Sequence, residues 1–262
     1  MTLVDLPGID ATGIRADNPS AFTLTGTNSW VLGRDPAWVV DPGPALAGHL
    51  DAVTAEVHRR GGLGGIALTH DHADHSEGVP GLRERFPQAP LAAGRGAADV
   101  ILVTGTRFGP LEAFATPGHA PDHFAFVVDR LALTGDAVLG AGSVFIAPDP
   151  GALAGYLEGL ARLRSRPLEV LAPGHGPVVT DPAAKLEAYV AHRLERERRL
   201  VSALVSGARS VPDLLAAAWA DVPEPLRPAA TVTLAAHLDK LADEDRLPAG
   251  VERPRLSELT PP

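Results

Sequence analysis

At 262 residues the chain can bury one large α/β core, with room for a small helical appendage. Its 23 basic and 32 acidic residues give a net charge of −9, which excludes a broad electrostatic footprint for duplex nucleic acid; a nucleic-acid substrate would need a local basic patch. With no cysteine, disulfides and thiolate metal sites are excluded, so any metal must sit on imidazole and carboxylate.

The first twenty residues carry neither a basic n-region nor an apolar h-region, and no apolar run approaches the ~18 residues of a membrane span. The expectation is a cytoplasmic protein with no membrane contact. Short apolar runs at Ala21 to Leu24, Ser29 to Leu32 and Ala37 to Val40, separated by turn chemistry, predict an antiparallel meander. Ala45 to Arg60 has helical periodicity, Gly61 and Gly62 end it, and Gly65 to Thr69 predicts a buried strand. Further strands are expected near Ala92, Ile101 to Val103, Glu112 to Ala115, His123 to Val128, Leu131 to Leu133 and Leu168 to Ala172, with a helix from Gly151 to Arg164 before the last. Asp181 and Pro182 read as an N-cap and first helical position, opening a long helix to about Ser206. Helical patterns over Val211 to Ala220 and Pro228 to Leu241 follow, then the turn-rich LPAGVERP, which suggests a β-wing.

The chemistry concentrates after the strand that ends at Thr69. Thr69 to His75 reads THDHADH, three histidines and two aspartates within six residues, and a loop at a strand end can aim several side chains at one point. Imidazole nitrogen and carboxylate oxygen suit zinc, manganese or iron(II). A solvated loop would account for that cluster alone. It does not account for His119 in TPGH, Asp136 in TGD and His175 in PGHG, each following a predicted strand and each beside a glycine that permits a tight turn.

In matching order, THDHADH, TPGH, TGD and PGHG resemble the successive ligand motifs of the metallo-β-lactamase superfamily, over roughly residues 21 to 180. The resemblance implies an α/β fold, an αββα sandwich with the metals at one edge, spanning 1–180 and followed by a helical, winged-helix-like cap over 181–262. It implies two divalent metal ions, zinc first with manganese or iron as alternatives. His70, His72 and His119 would hold one, Asp74, His75 and His175 the other, and Asp136 would bridge them, leaving a bridging hydroxide as nucleophile. Asp74 and Asp136 are the catalytic candidates. The absence of cysteine and the presence of Asp136 argue against a true β-lactamase, and His72 stands where the diiron flavoproteins resemble carriers of glutamate. NPSAFTLTGTNSWVLG and AHRLERERRL resemble the beta-lactamase-like protein two group, which includes a single-strand endoribonuclease and has thioesterase relatives.

The substrate is thus expected to be single-stranded RNA first, or a small-molecule thioester, whether carrier-bound or glyoxalase-II-like. From another class, a nucleic-acid- or protein-binding module on a non-catalytic metal domain also fits the cap. Asn28 resembles an asparagine near the site in this group and is a substrate-binding candidate. On the long helix, Leu186, Tyr189, Val190, Leu194, Leu200, Val201 and Leu204 form an apolar stripe at about 100° per residue, into which Arg193 and Glu197 project. Inward charges need partners. Either the two neutralise each other, or Arg193, with His192 at the stripe's edge, binds a substrate anion.

Overall fold

A computed structural model describes residues 2–6 and 9–255. Four strands open the chain as an antiparallel meander: β1 (Thr2–Asp5), β2 (Ala11–Arg15), β3 (Asn28–Leu32) and β4 (Ala37–Val40). The sheet then turns parallel. Helix α1 (Ala47–Arg59) carries the chain over to β5 (Leu63–Ala67), and the short α2 (Ala73–Ser76) and α3 (Gly78–Arg85) carry it to β6 (Leu91–Ala93) and β7 (Val100–Ile101). Val53 and Val57 of α1 and Leu82 of α3 bury themselves on the outer face of this sheet against Ile14, Val31, Val39 and Ile66.

The second sheet runs β12-β11-β10-β9-β8, made of β8 (Arg107–Phe108), β9 (Leu111–Ala115), β10 (Phe124–Val128), β11 (Leu131–Gly135) and β12 (Val170–Pro173). Only the β11–β12 pair is parallel, because α4 (Ala152–Arg164) intervenes as a crossover. The two sheets bury a shared apolar layer that includes Trp30, Val40 and Ala67 from the first and Phe126, Leu133 and Ala172 from the second. Helix α5 (Pro182–Val205), capped by Asp181 Oδ1 accepting the Ala184 N–H, adds Leu186 and Tyr189 to the cluster beneath α4, beside Tyr156 and Leu160. Four layers result, helices outside and two sheets within.

Helices α6 (Val211–Ala218) and α7 (Arg227–Asp243) pack on the far half of α5 through Leu200, Leu204, Leu214, Trp219, Leu234 and Leu238, while Ala236 of α7 reaches the α4 cluster. The expected β-wing is not formed among the described residues. The chain after α7 is irregular and folds back on the start of α6, where the Glu252 carboxylate accepts the Val211 N–H and its own N–H donates to the Arg209 carbonyl. Ala21 to Leu24 is likewise a turn, because Ser20 Oγ accepts the N–H groups of Phe22 and Thr23.

The Arg193 and Glu197 pairing is also corrected. Glu197 is held by Lys240 (2.8 Å) and Arg246 (2.9 Å), both supplied by the last helix and the chain after it. Arg193 donates instead to the backbone carbonyl of Val144 and lies over the Tyr156 ring.

Candidate metal centre

Each of the four ligand motifs, THDHADH, TPGH, TGD and PGHG, lies at the C-terminal end of a strand, β5, β9, β11 or β12, and all four come together at one edge of the sandwich. Three sets of groups converge closely enough to share an ion: His70, His72 and His119; Asp74, His75 and His175; and His70, His75 and Asp136. Asp136 stands between the first two sets, with Oδ2 3.5 Å from His119 Nε2 and 3.3 Å from His175 Nε2, and Oδ1 3.6 Å from His75 Nε2.

The metal-facing atoms are prepared by a layer behind them. Thr69 Oγ1 donates to Asp41 Oδ2 (2.7 Å), so its oxygen is left to accept from His70 Nδ1 (3.0 Å). His75 Nδ1 donates to the same Asp41 oxygen (2.9 Å). In both rings Nε2 is thereby the nitrogen turned toward the centre, a free donor in neutral His70 and one that a cation would free by displacing the proton in His75. Asp41 itself sits at the end of β4 with φ +52°, fully buried, and its other oxygen accepts the Thr69 N–H. Thr27 donates to Asp74 Oδ2 (2.7 Å) and is itself held by Asn18. His123 accepts the Asp136 N–H on Nε2 (3.1 Å), which places its proton on Nδ1 toward Thr116 (2.8 Å) and fixes the turn carrying Asp136.

The electrostatics favour a cation. Burial, then the neighbouring His75, His123 and His119, hold His70 well below its ordinary value, so it is a neutral donor. Burial takes His119 down to about 4, against the opposing pull of Asp136 and the Phe145 backbone. Burial also acts to lower His75, yet the carboxylates of Asp136, Asp41 and Asp74 outweigh it and raise the group to about 10. Asp136 stays ionised despite its burial because His175, His75 and His119 surround it. His70 Nε2 and Asp136 Oδ1 are buried without a hydrogen-bond partner, which is costly unless a ligand engages them. Neutral imidazoles, buried carboxylates and orphaned atoms aimed at one point fit divalent cations.

The remaining candidates are placed as follows. Asn28 is buried, and its amide donates to the carbonyls of Pro173 (3.1 Å) and Gly176 (3.0 Å), bracing the loop of His175. His192 is half-buried and accepts from Arg196 Nε (3.0 Å), whose guanidinium also grips Asp221; it is not among the converging groups. Asp41, Thr27 and His123 were not singled out in the sequence. The signal for Asp41 was present: a lone acid in VVDPG, between an apolar strand and a Pro-Gly turn, is a strand-end residue of the same kind as Asp136.

The sequence pattern described as the Beta-lactamase superfamily domain matches residues 38–130, and that of the Beta-lactamase associated winged helix domain matches 210–248. An atrochrysone carboxyl ACP thioesterase of Aspergillus chevalieri is 36% identical over 203 residues, which is 73% of this chain and 64% of the thioesterase, just under two thirds of its length. The lactamase-like protein vrtG of Penicillium aethiopicum is 32% identical over 90% of this chain and 82% of its own. A beta-lactamase-like protein 2 homolog of Drosophila melanogaster is 29% identical over 88% and 87%. In fold, a crystal structure of a beta-lactamase domain protein from Burkholderia ambifaria superimposes with a TM-score of 0.77 at 18% identity, over 95% of this chain and 91% of that one. The chain is a hydrolytic enzyme of the metallo-β-lactamase fold. It belongs to the beta-lactamase superfamily, in the branch that carries the winged-helix domain.

Proposed function

We propose that the protein is a two-metal thioesterase that releases an acyl group from a carrier-bound or small-molecule thiol. The observation that carries this reading is the convergence of two complete three-residue sets, His70, His72, His119 and Asp74, His75, His175, on Asp136. When bound there, two divalent cations, zinc first, would supply an acidified water and a Lewis acid for the acyl carbonyl.

The chain's own residues hold and orient. His70 and His75 present Nε2 because Asp41 and Thr69 occupy their Nδ1 atoms. Asp136 would offset repulsion between the cations. Asp74 has 28% of its side chain exposed against 9% for Asp136, and so is the carboxylate of the set that can take up or pass on the proton of the attacking water. Attack at the acyl carbon breaks the C–S bond. A thiolate leaves without a strong acid, since thiols ionise near pH 8.5.

Two features favour a thioester over the RNA placed first by the resemblance. The relative named as an ACP thioesterase is 36% identical, and a net charge of −9 does not attract a polyanion.

The metal-loaded protein should release free thiol from acyl-CoA and acyl-pantetheine thioesters, read by a thiol-reactive dye. Asp136→Ala should abolish both the release and part of the metal content. Cleavage of single-stranded RNA with no thiol release would overturn the thioester reading in favour of a phosphodiesterase. Inactivity on both panels at full metal loading would overturn hydrolysis of either bond.

A further inference from the structure

The connection from Leu139 to Ile146 finds its polar partners largely on the C-terminal helices. Lys185 Nζ donates to the Gly140 carbonyl (3.0 Å). The Tyr189 hydroxyl accepts the Leu139 N–H (3.0 Å) and donates to the Gly142 carbonyl (3.0 Å). One turn further along α5, Arg193 donates to the Val144 carbonyl, and from α7 the Thr233 hydroxyl accepts the Ile146 N–H (3.2 Å). Lys185, Tyr189 and Arg193 are spaced four apart, so one face of α5 meets this stretch of backbone.

What the stretch carries is Phe145. Its ring lies 4.6 Å from the His119 ring at 60°, and its outer side meets Phe22 edge-on at 6.5 Å. The next residue but one, Ala147, donates its N–H to the carbonyl of Gly118, the neighbour of His119 (2.7 Å). His119 is therefore boxed in by a segment that the C-terminal helices hold in place. Arg193 is 3% exposed and grips that segment at Val144, the residue before Phe145. The same segment reaches the other ligand set at Gly140, whose N–H donates to the His175 carbonyl (2.9 Å) and whose own carbonyl Lys185 holds, whereas Arg193 grips it beside Phe145, so the influence of Arg193 falls first on His119.

We propose that Arg193 is a positioning residue for the metal set of His70, His72 and His119, acting through the Val144 carbonyl and Phe145 on the orientation of His119. The C-terminal helices then form part of the metal centre without ligating it. This rests on the two-metal reading above.

The test uses full-length zinc-loaded protein dialysed against graded chelator, with metal per chain and thermal melting measured on each sample. Three variants are compared: Arg193→Met, which removes the donor; Arg193→Lys, which keeps one; and Glu197→Gln, one turn along the same helix, which disturbs the Lys240 and Arg246 pair but touches none of the 139–146 segment. Loss of a hydrogen bond made directly to a ligand weakens metal affinity by about 10- to 100-fold, and because Arg193 acts at one remove through Phe145 the lower end of that range is expected. Arg193→Met should therefore release one metal of two at a chelator concentration lower by that factor while retaining the other, Arg193→Lys should restore most of it, and Glu197→Gln should lower the melting temperature with both metals kept. Wild-type chelator resistance in Arg193→Met overturns the proposal. So does loss of both metals together with the fold in Arg193→Met and Glu197→Gln alike. A wild-type chain that never holds two metals overturns the two-metal reading itself, a result visible before any variant is made.

Discussion

Asp41 shows how much of a metal site can rest on a residue that need not touch the metal. One of its oxygens receives both the His75 Nδ1 proton and the Thr69 hydroxyl, and the hydroxyl in turn holds His70, so one carboxylate sets the tautomer of a histidine in each ligand set. Asp41→Asn keeps the size but removes the charge that favours Nδ1–H on His75. We expect metal affinity to fall about 10- to 100-fold with little change in fold, measured by competition with a chromophoric chelator; unchanged affinity would show that Asp41 serves only the turn. All seven expected metal-facing residues were visible in the sequence because each is a His or Asp in a short motif at a predicted strand end, four of them crowded into THDHADH and the other three each beside a glycine. Asp41, Thr27 and His123 were not, since a supporting residue is recognised by what it touches, and Thr27 meets Asp74 from 47 positions away.

Turns decide how closely those residues can gather. At Gly174, between β12 and His175, an added Cβ would stand 2.6 Å from Asp136 Oδ1 and 2.7 Å from His75 Cε1, inside the space the ligands need. Gly174→Ala should therefore cost metal content and activity while the sheets, whose cores lie elsewhere, keep their circular dichroism; an alanine variant with wild-type metal content would contradict the close approach. The long amphipathic helices α1, α4 and α5 fell within a residue or two of where periodicity put them, because an apolar stripe needs a core. The strands β1 and β2, the short helices α2 and α3, and the turn at Ala21 to Leu24 did not. The polar Thr12 and the glycine Gly13 interrupt the apolar pattern of β2, which is a strand because β3 pairs along its whole length, and Ser20 rewrites an apolar run as a turn.

Taken whole, the molecule places several neutral histidines where water cannot reach them, and this sets its acid limit. His237 on α7 is buried against Trp219 (ring centroids 5.5 Å) with both ring nitrogens unpartnered. Burial first, then the positive charges of Arg193, Lys240, His192 and Arg196, lower it to about 3. The unfolded chain takes up this proton near pH 6.5 and the folded one does not, so stability is full above that pH and falls as the pH drops toward 3, by at most about 1.4 kcal/mol per unit. His237→Phe should flatten the decline in melting temperature between pH 6.5 and 4 relative to the parent; parallel curves would remove His237 from the account. The two sheets, meanwhile, meet at the metal edge through ligands from both: His70, His72, Asp74 and His75 follow a strand of the first, and His119, Asp136 and His175 follow strands of the second. An ion in either three-residue set would cross-link positions roughly 50 or 100 residues apart in the chain and so close a long loop of the unfolded polymer, the office a disulfide performs in chains that have cysteines. The cation is then a rivet in the seam between the sheets. Free cation should raise the melting temperature in step with its concentration over the dissociation constant, and chelation should let the amides at the ends of β9, β11 and β12 exchange with solvent well before those in the middle of the sandwich.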